Sequence, residues 1–133
     1  MLLAGLALSQ PPSTFKVRLS PVASDATMRA TVAGAGSASA TLNGARLTIT
    51  GSFEGLKSAA TIAQIHSGVA TGVRGPFILD LTVSKAGAGT SGTISGSFEL
   101  TPAQATSLRR GQLYIQIHSE KAPDGNLWGW LLP

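Results

Sequence analysis

The sequence predicts an all-β fold, an antiparallel two-sheet sandwich with one short connecting helix, and three observations predict it. Apolar and polar residues alternate with period two in run after run, as they do on half-buried strands. The runs are bounded by Gly, Pro or small polar residues, which turn the chain. Charged residues are only 12% of the 133 positions while Gly supplies 16, so the Glu, Lys and Leu that sustain long helices are scarce. A chain of this length makes one domain and buries roughly two-thirds of its unfolded surface in a single core.

The elements follow in order. In TFKVRLS, Phe15, Val17 and Leu19 alternate with Lys16 and Arg18, a strand with one wet face. SASATLNGARLTITGSF holds two alternating runs, Ala38, Ala40 and Leu42 and then Leu47 and Ile49, on either side of Asn43-Gly44. Both residues of that dipeptide tolerate positive φ, which suits a type I′ hairpin turn. Further strands are predicted at ATIAQIHS, PFILDLTVS, GTISGSFELT, QLYIQIHS and NLWGWLL. The one helix is TPAQATSLRRG: Thr101 caps it, Pro102 opens its first turn, Ala105 and Leu108 give a narrow apolar stripe, Arg109 and Arg110 suit its C-terminal dipole, and Gly111 ends it. Seven or eight short strands leave several sheet edges and two faces to cover, and two packed sheets cover them.

Composition and the N-terminus limit the function classes. No Cys is present, which excludes thiol catalysis, disulfides and thiolate metal sites. The net charge is +4 but the ten basic residues are scattered, only Arg109 and Arg110 being adjacent. A nucleic-acid binder concentrates its charge on a stripe or helix face, so no nucleic-acid partner is expected. MLLAGLALSQPPS opens with an apolar run ending in small residues before a Pro pair, with Gly5-Leu6-Ala7 as a small-x-small cleavage site. Residues 1–9 therefore read as the remnant of a secretory signal and 10–133 as the single mature domain, secreted, periplasmic or held at the cell surface. Ten apolar residues are too few to span a bilayer as a helix, and no membrane span is expected.

Catalytic constellations are missing. No Gly-x-Ser-x-Gly or comparable nucleophile context occurs, and the six acids are dispersed singly, so neither serine hydrolysis nor paired-carboxylate glycoside hydrolysis is indicated. AGAGSASA and KAGAGTSG lack the Lys-Ser/Thr ending of a phosphate-binding loop. The sequence predicts no enzyme and no cofactor.

FKVRLS, then LTITGSFEGLKSAATIAQIHSGVATGVRGPFILDL, then SGSFELTPAQATSLRRGQLYIQIHSEKAPDGNLWGWL, resemble the CHRD domain, the chordin-type module of exported proteins, across residues 15 to 132. The parts arrive in that family's order: a His-x-His-x-Gly strand, a Gly-Val-x-Gly-Pro turn, a Thr-capped helix ending in Gly, Tyr-x-x-x-His, then Pro-x-Gly and a final strand. The resemblance implies an extracellular β-rich domain, an immunoglobulin-like or superoxide-dismutase-like Greek key. This chain departs from the family where charge and imidazole would stand. Gln64 replaces the first His of the His-x-His strand, leaving His66; Tyr114 and His118 are retained; the final strand reads Asn126-Leu127-Trp128 in place of Glu-x-Arg.

Period-two geometry groups these positions. With Leu113, Ile115, Ile117, Leu127 and Leu131 facing the core, Tyr114, Gln116, His118, Asn126, Trp128 and Trp130 share the opposite face. Pairing as a hairpin around SEKAPDG brings Gln116 beside Trp128 and Tyr114 beside Trp130. The candidate ligand-binding residues are therefore Gln64, His66, Tyr114, Gln116, His118, Asn126, Trp128 and Trp130, a neutral aromatic and amide surface suited to a glycan or protein partner. Two other readings stand beside it: a face covered by packing, and a copper or zinc site using His66 and His118 with Asp80, Glu54 or Glu99.

Overall fold

The structure, a computed structural model, describes residues 12–21 and 26–133. The expected signal segment lies outside the described residues. Eight antiparallel strands form: β1 (Ser13–Pro21), β2 (Ala35–Asn43), β3 (Arg46–Glu54), β4 (Ala60–Ser67), β5 (Phe77–Ala86), β6 (Ser91–Glu99), β7 (Leu113–Ser119) and β8 (Ala122–Trp130), with helix α1 (Pro102–Arg109) between β6 and β7 and a 3₁₀ turn at Thr27–Ala30. The helix has the predicted cap, Thr101 Oγ1 accepting from Gln104 N at 3.1 Å while Gln104 Oε1 accepts from Thr101 N at 2.9 Å.

The architecture corrects the two-sheet sandwich expected from the sequence. The strands close into one barrel in the order β1-β2-β3-β6-β5-β4-β7-β8, with β4, β5, β6 and β7 in the 7-4-5-6 arrangement of a Greek key. Two devices remove the sheet edges that a sandwich would keep. The first half of β5 pairs with β4 and its second half with β6, so β5 carries the ladder from one side of the barrel to the other. At the remaining gap β1 returns to β8 through Ser20 opposite Trp128 and Pro21 opposite Leu127, and Lys16 bridges to Leu132 just beyond β8. Periodicity shows which residues point inward; it carries no signal for whether the first and last strands meet.

Inside, Leu47, Ile49, Ile65, Leu113, Ile115, Ile117, Leu127 and Leu131 are fully buried. Ala38, Ala40, Ala60 and Ala63 leave room among them, which fits an eight-stranded barrel whose interior is just wide enough to be filled by side chains. Ala105 and Leu108 of α1 and Leu100 before it join the same core.

The β2–β3 hairpin forms as predicted but its turn lies one residue later. Leu42 faces Leu47 and Asn43 faces Arg46, so the apolar register keeps Asn43 in the strand and leaves Gly44 and Ala45 to turn. Gly44 has φ +64° and no described non-Gly residue has positive φ, the pattern of a type II′ turn, in place of the type I′ expected at Asn43-Gly44. The β7–β8 connection is also shorter than SEKAPDG. Ser119 faces Ala122, and between that pair and Ile117 opposite Leu127 the single residue His118 stands against four, Pro123 to Asn126, in a wide bulge.

Closure at β1 depends on Gly129. A Cβ there would collide with the carbonyl oxygen of Arg18 and come within 2.6 Å of Val17 Cγ1. Gly44, by contrast, has open space around it. Gly129→Ala is expected to destabilise the fold by roughly 3 kcal/mol or more, an overpacking effect against backbone. Gly44→Ala is expected to cost about 1 kcal/mol, the left-handed penalty alone. Urea midpoints of the two variants check the order.

Candidate functional site

β4, β7 and β8 present their outer faces side by side, and the cross-strand register builds two rows. His66 faces Tyr114, which faces Trp130; Gln64 faces Gln116, which faces Trp128. The neighbours inferred from the sequence on β7 and β8 are thus the observed ones. The rings stack along the first row: His66 on Tyr114 at 5.1 Å and 21°, and Tyr114 on Trp130 at 4.8 Å and 32°. Trp128 lies 5.9 Å from Tyr114, nearly parallel to it, and Phe77 meets His66 edge-on at 6.4 Å. Such offset and edge contacts are worth about 0.5–1.5 kcal/mol each beyond area burial.

A loop covers much of this face. Residues 68–76, between β4 and β5, are tied down at Gly75, whose N–H donates to Tyr114 Oη at 3.0 Å. Gly75 O accepts from Tyr114 Oη at 3.2 Å and from His66 Nδ1 at 2.9 Å. Arg74 lays its guanidinium 4.0 Å above the Trp128 ring and donates to Asp124 O at 3.1 Å. Farther along the loop, Thr71 Oγ1 donates to Gly111 O and Gln112 Nε2 to Val69 O. Tyr114 and Trp128 are in consequence buried, at 1% and 4% exposure.

Two of the amides, Gln116 and Asn126, bond within the fold at and around the bulge. Gln116 Nε2 donates to Asp124 O at 2.7 Å. Asn126, fully buried, donates to Ser119 Oγ at 2.9 Å and accepts from Ala33 N at 3.1 Å, which fastens the segment before β2 to β8. His118 Nδ1 donates to Pro123 O at 2.6 Å. Gly125, at φ +118°, lets the chain pass where a Cβ would collide with the Gln116 carboxamide. Nε1 of Trp128, Nε1 of Trp130 and Nε2 of His118 are buried with no hydrogen-bond partner among the described residues.

His66 Nε2 lies 3.2 Å from the Gln64 carboxamide, whose other end reaches Asp80 Oδ1 at 3.5 Å. Burial, and then the neighbouring His118 and Arg74, hold the His66 pKa below the ordinary imidazole value, against the raising effect of the Gly75 carbonyl. Nδ1 faces the Gly75 carbonyl and Nε2 faces Gln64 Oε1, both acceptors, so a neutral ring with its single N–H donates to one of the two. Each ring nitrogen thus has a polar neighbour within the fold. Among the described residues no three His, Asp or Glu side chains gather in a group that could hold a metal ion.

What stays open is the margin of the face along β1. Trp130 is half-buried and borders a groove of about 480 Å³ whose other walls include Lys16, Arg18, Thr71 and Leu132. A larger depression of about 610 Å³ lies elsewhere, lined by Gly36, Ser37, Ser52 and the buried Phe53; it offers no exposed ring. Sequence reasoning missed the covering role of Arg74 and Gly75, although the Gly-Val-Arg-Gly-Pro turn marked their loop. It also missed that the wet face of β1 adjoins the tryptophans, which follows only from barrel closure.

The family model described as CHRD domain matches residues 15–131. No curated protein and no solved structure matches the chain.

Two outcomes test this geometry. Tyr114→Phe removes the hydroxyl that both accepts from and donates to Gly75, and is expected to lower stability by about 1–3 kcal/mol, measured by urea unfolding. His66 has its pKa depressed in the folded state, so below an ordinary value of 6.5 the unfolded chain takes up the proton first. Stability is therefore full above that pH and falls as the pH drops through and below it. Thermal midpoints across pH 5 to 8, roughly the imidazole range, should show this fall, and His66→Gln should flatten it.

Proposed function

The chain belongs to the CHRD domain family, and we propose that it is a non-enzymatic binding module acting outside the cytoplasm, with a carbohydrate as its ligand. The family is extracellular, and no helix among the described residues is long and apolar enough to cross a membrane.

One observation carries the carbohydrate reading: Trp130 presents a partly open ring at the rim of a groove while its inner face is fixed against Tyr114 at 4.8 Å. A sugar ring stacks on an indole through its C–H face, and an indole already locked by packing loses little rotamer freedom on binding. A groove of about 480 Å³ lies within the roughly 300–1,000 Å³ range of small-ligand sites. The contact surface is therefore the β1 margin of the aromatic face, not its centre, where Arg74 and Gly75 cover Trp128 and Tyr114. No observation favours a copper or zinc site at His66 and His118: among the described residues no third His, Asp or Glu gathers with them, and each His66 nitrogen lies against a polar group of the fold.

Tryptophan fluorescence of the intact chain, titrated with a panel of soluble polysaccharides, should change on binding. Trp130→Ala is expected to weaken binding about tenfold or more, in line with about 1–3 kcal/mol for a stacked ring, while the thermal midpoint shows that the barrel persists. Absence of binding to every member of the panel, or binding indifferent to Trp130→Ala, refutes the reading.

A further inference from the structure

We propose that the groove beside Trp130 takes an acidic polysaccharide, with a sugar ring on the indole and the carboxylate or sulfate of that sugar between Lys16 and Arg18. This rests on the carbohydrate reading and names the class of sugar.

The charge of the groove is what decides. Lys16 and Arg18 stand two residues apart on β1, so both project from its outer face, and both are exposed. Neither has a side-chain hydrogen-bond or ion-pair partner among the described residues, where Arg46 with Glu99 is the salt bridge formed. Across β2 they face Ser39 and Ser37, small hydroxyls that leave the two cations uncompensated. No Asp or Glu side chain lines the groove. Two unpaired donors of fixed spacing beside a ring match a sugar that carries an anion, because charge-assisted hydrogen bonds to such a group are about twice as strong as neutral ones.

A second feature fits a polymer rather than a single sugar. On the other side of β1 lies a shallow trough of about 520 Å³, bordered by Lys16, Ser37, Ser39, Thr50 and Ser52. Its serine and threonine residues come from register pairs, Ser39 opposite Thr50 and Ser37 opposite Ser52. Lys16 borders both the trough and the Trp130 groove, so one extended chain crossing β1 would meet an indole, two cations and a bed of hydroxyls in turn.

The test uses the intact chain and four probes: polygalacturonate for carboxylated sugars, dextran sulfate for sulfated ones, neutral dextran, and single-stranded DNA as an anion without a sugar-face preference. Binding to one or both acidic polymers, roughly tenfold or more tighter than to dextran and weakened by salt, is expected. Lys16→Ala with Arg18→Ala should remove most of that preference at an unchanged thermal midpoint, whereas Arg29→Ala with Arg110→Ala, which removes the same charge elsewhere, should leave it. Dextran binding that depends on Trp130 and ignores Lys16 and Arg18 would overturn this proposal and leave the carbohydrate reading intact. Failure to bind any polysaccharide would overturn both. Equal loss in the two double variants, or DNA binding as tightly as the acidic sugars, would reduce the interaction to net charge and overturn the proposal.

Discussion

Eight strands share their backbone hydrogen bonds without leaving an edge only if the last returns to the first, and here that return narrows to one place, where Gly129 passes the carbonyl of Arg18. The ladder on either side of it is sparse, two pairs at Ser20 and Pro21 and a bridge at Lys16. The same approach that encloses the core sets the wet face of β1 alongside Trp130. Fold and candidate site thus depend on a single contact, and the groove exists because β1 and β8 meet at their ends and leave a recess on the outside between them.

The outer face of β4, β7 and β8 shows how a polar strand surface can be spent internally. A strand face of Tyr, Gln, His, Asn and Trp reads as recognition surface, yet most of its hydrogen-bonding capacity goes to carbonyls of the bulge at Pro123 and Asp124 and of the loop at Gly75. These carbonyls lie in irregular segments outside the regular ladder, and the side chains of the face give them partners. Gln64, at the edge of this network, links His66 to Asp80; a carboxamide at that position acts as a bridge between two side chains.

Which residues face inward was legible in the sequence because period two is a local property. The capped helix was legible for the same reason, as were the pairings of Tyr114 with Trp130 and Gln116 with Trp128, once Ile117 and Leu127 were set against each other. Barrel closure was not legible, since nothing local to Ser20 or Trp128 reports that the two strands meet. A covered face stood among the readings, but the identity of the cover over Trp128 was not legible, since it depends on a loop some fifty positions earlier folding back to place Arg74 over the ring. The turn at Gly44 shows a milder failure of the same kind: dipeptide chemistry favoured Asn43-Gly44, and the apolar register across two strands overruled it by one residue.

The chain has two Trp and one Tyr, and all three lie in the single stack on β7 and β8. Nearly all near-ultraviolet absorption therefore originates from one patch of the barrel wall, with transition dipoles close enough to couple, while the β2–β3–β6 wall carries only the weakly absorbing Phe53 and Phe98. The molecule carries a built-in reporter concentrated near its closing seam, so a local opening there would be seen strongly and an equal opening on the far wall only faintly.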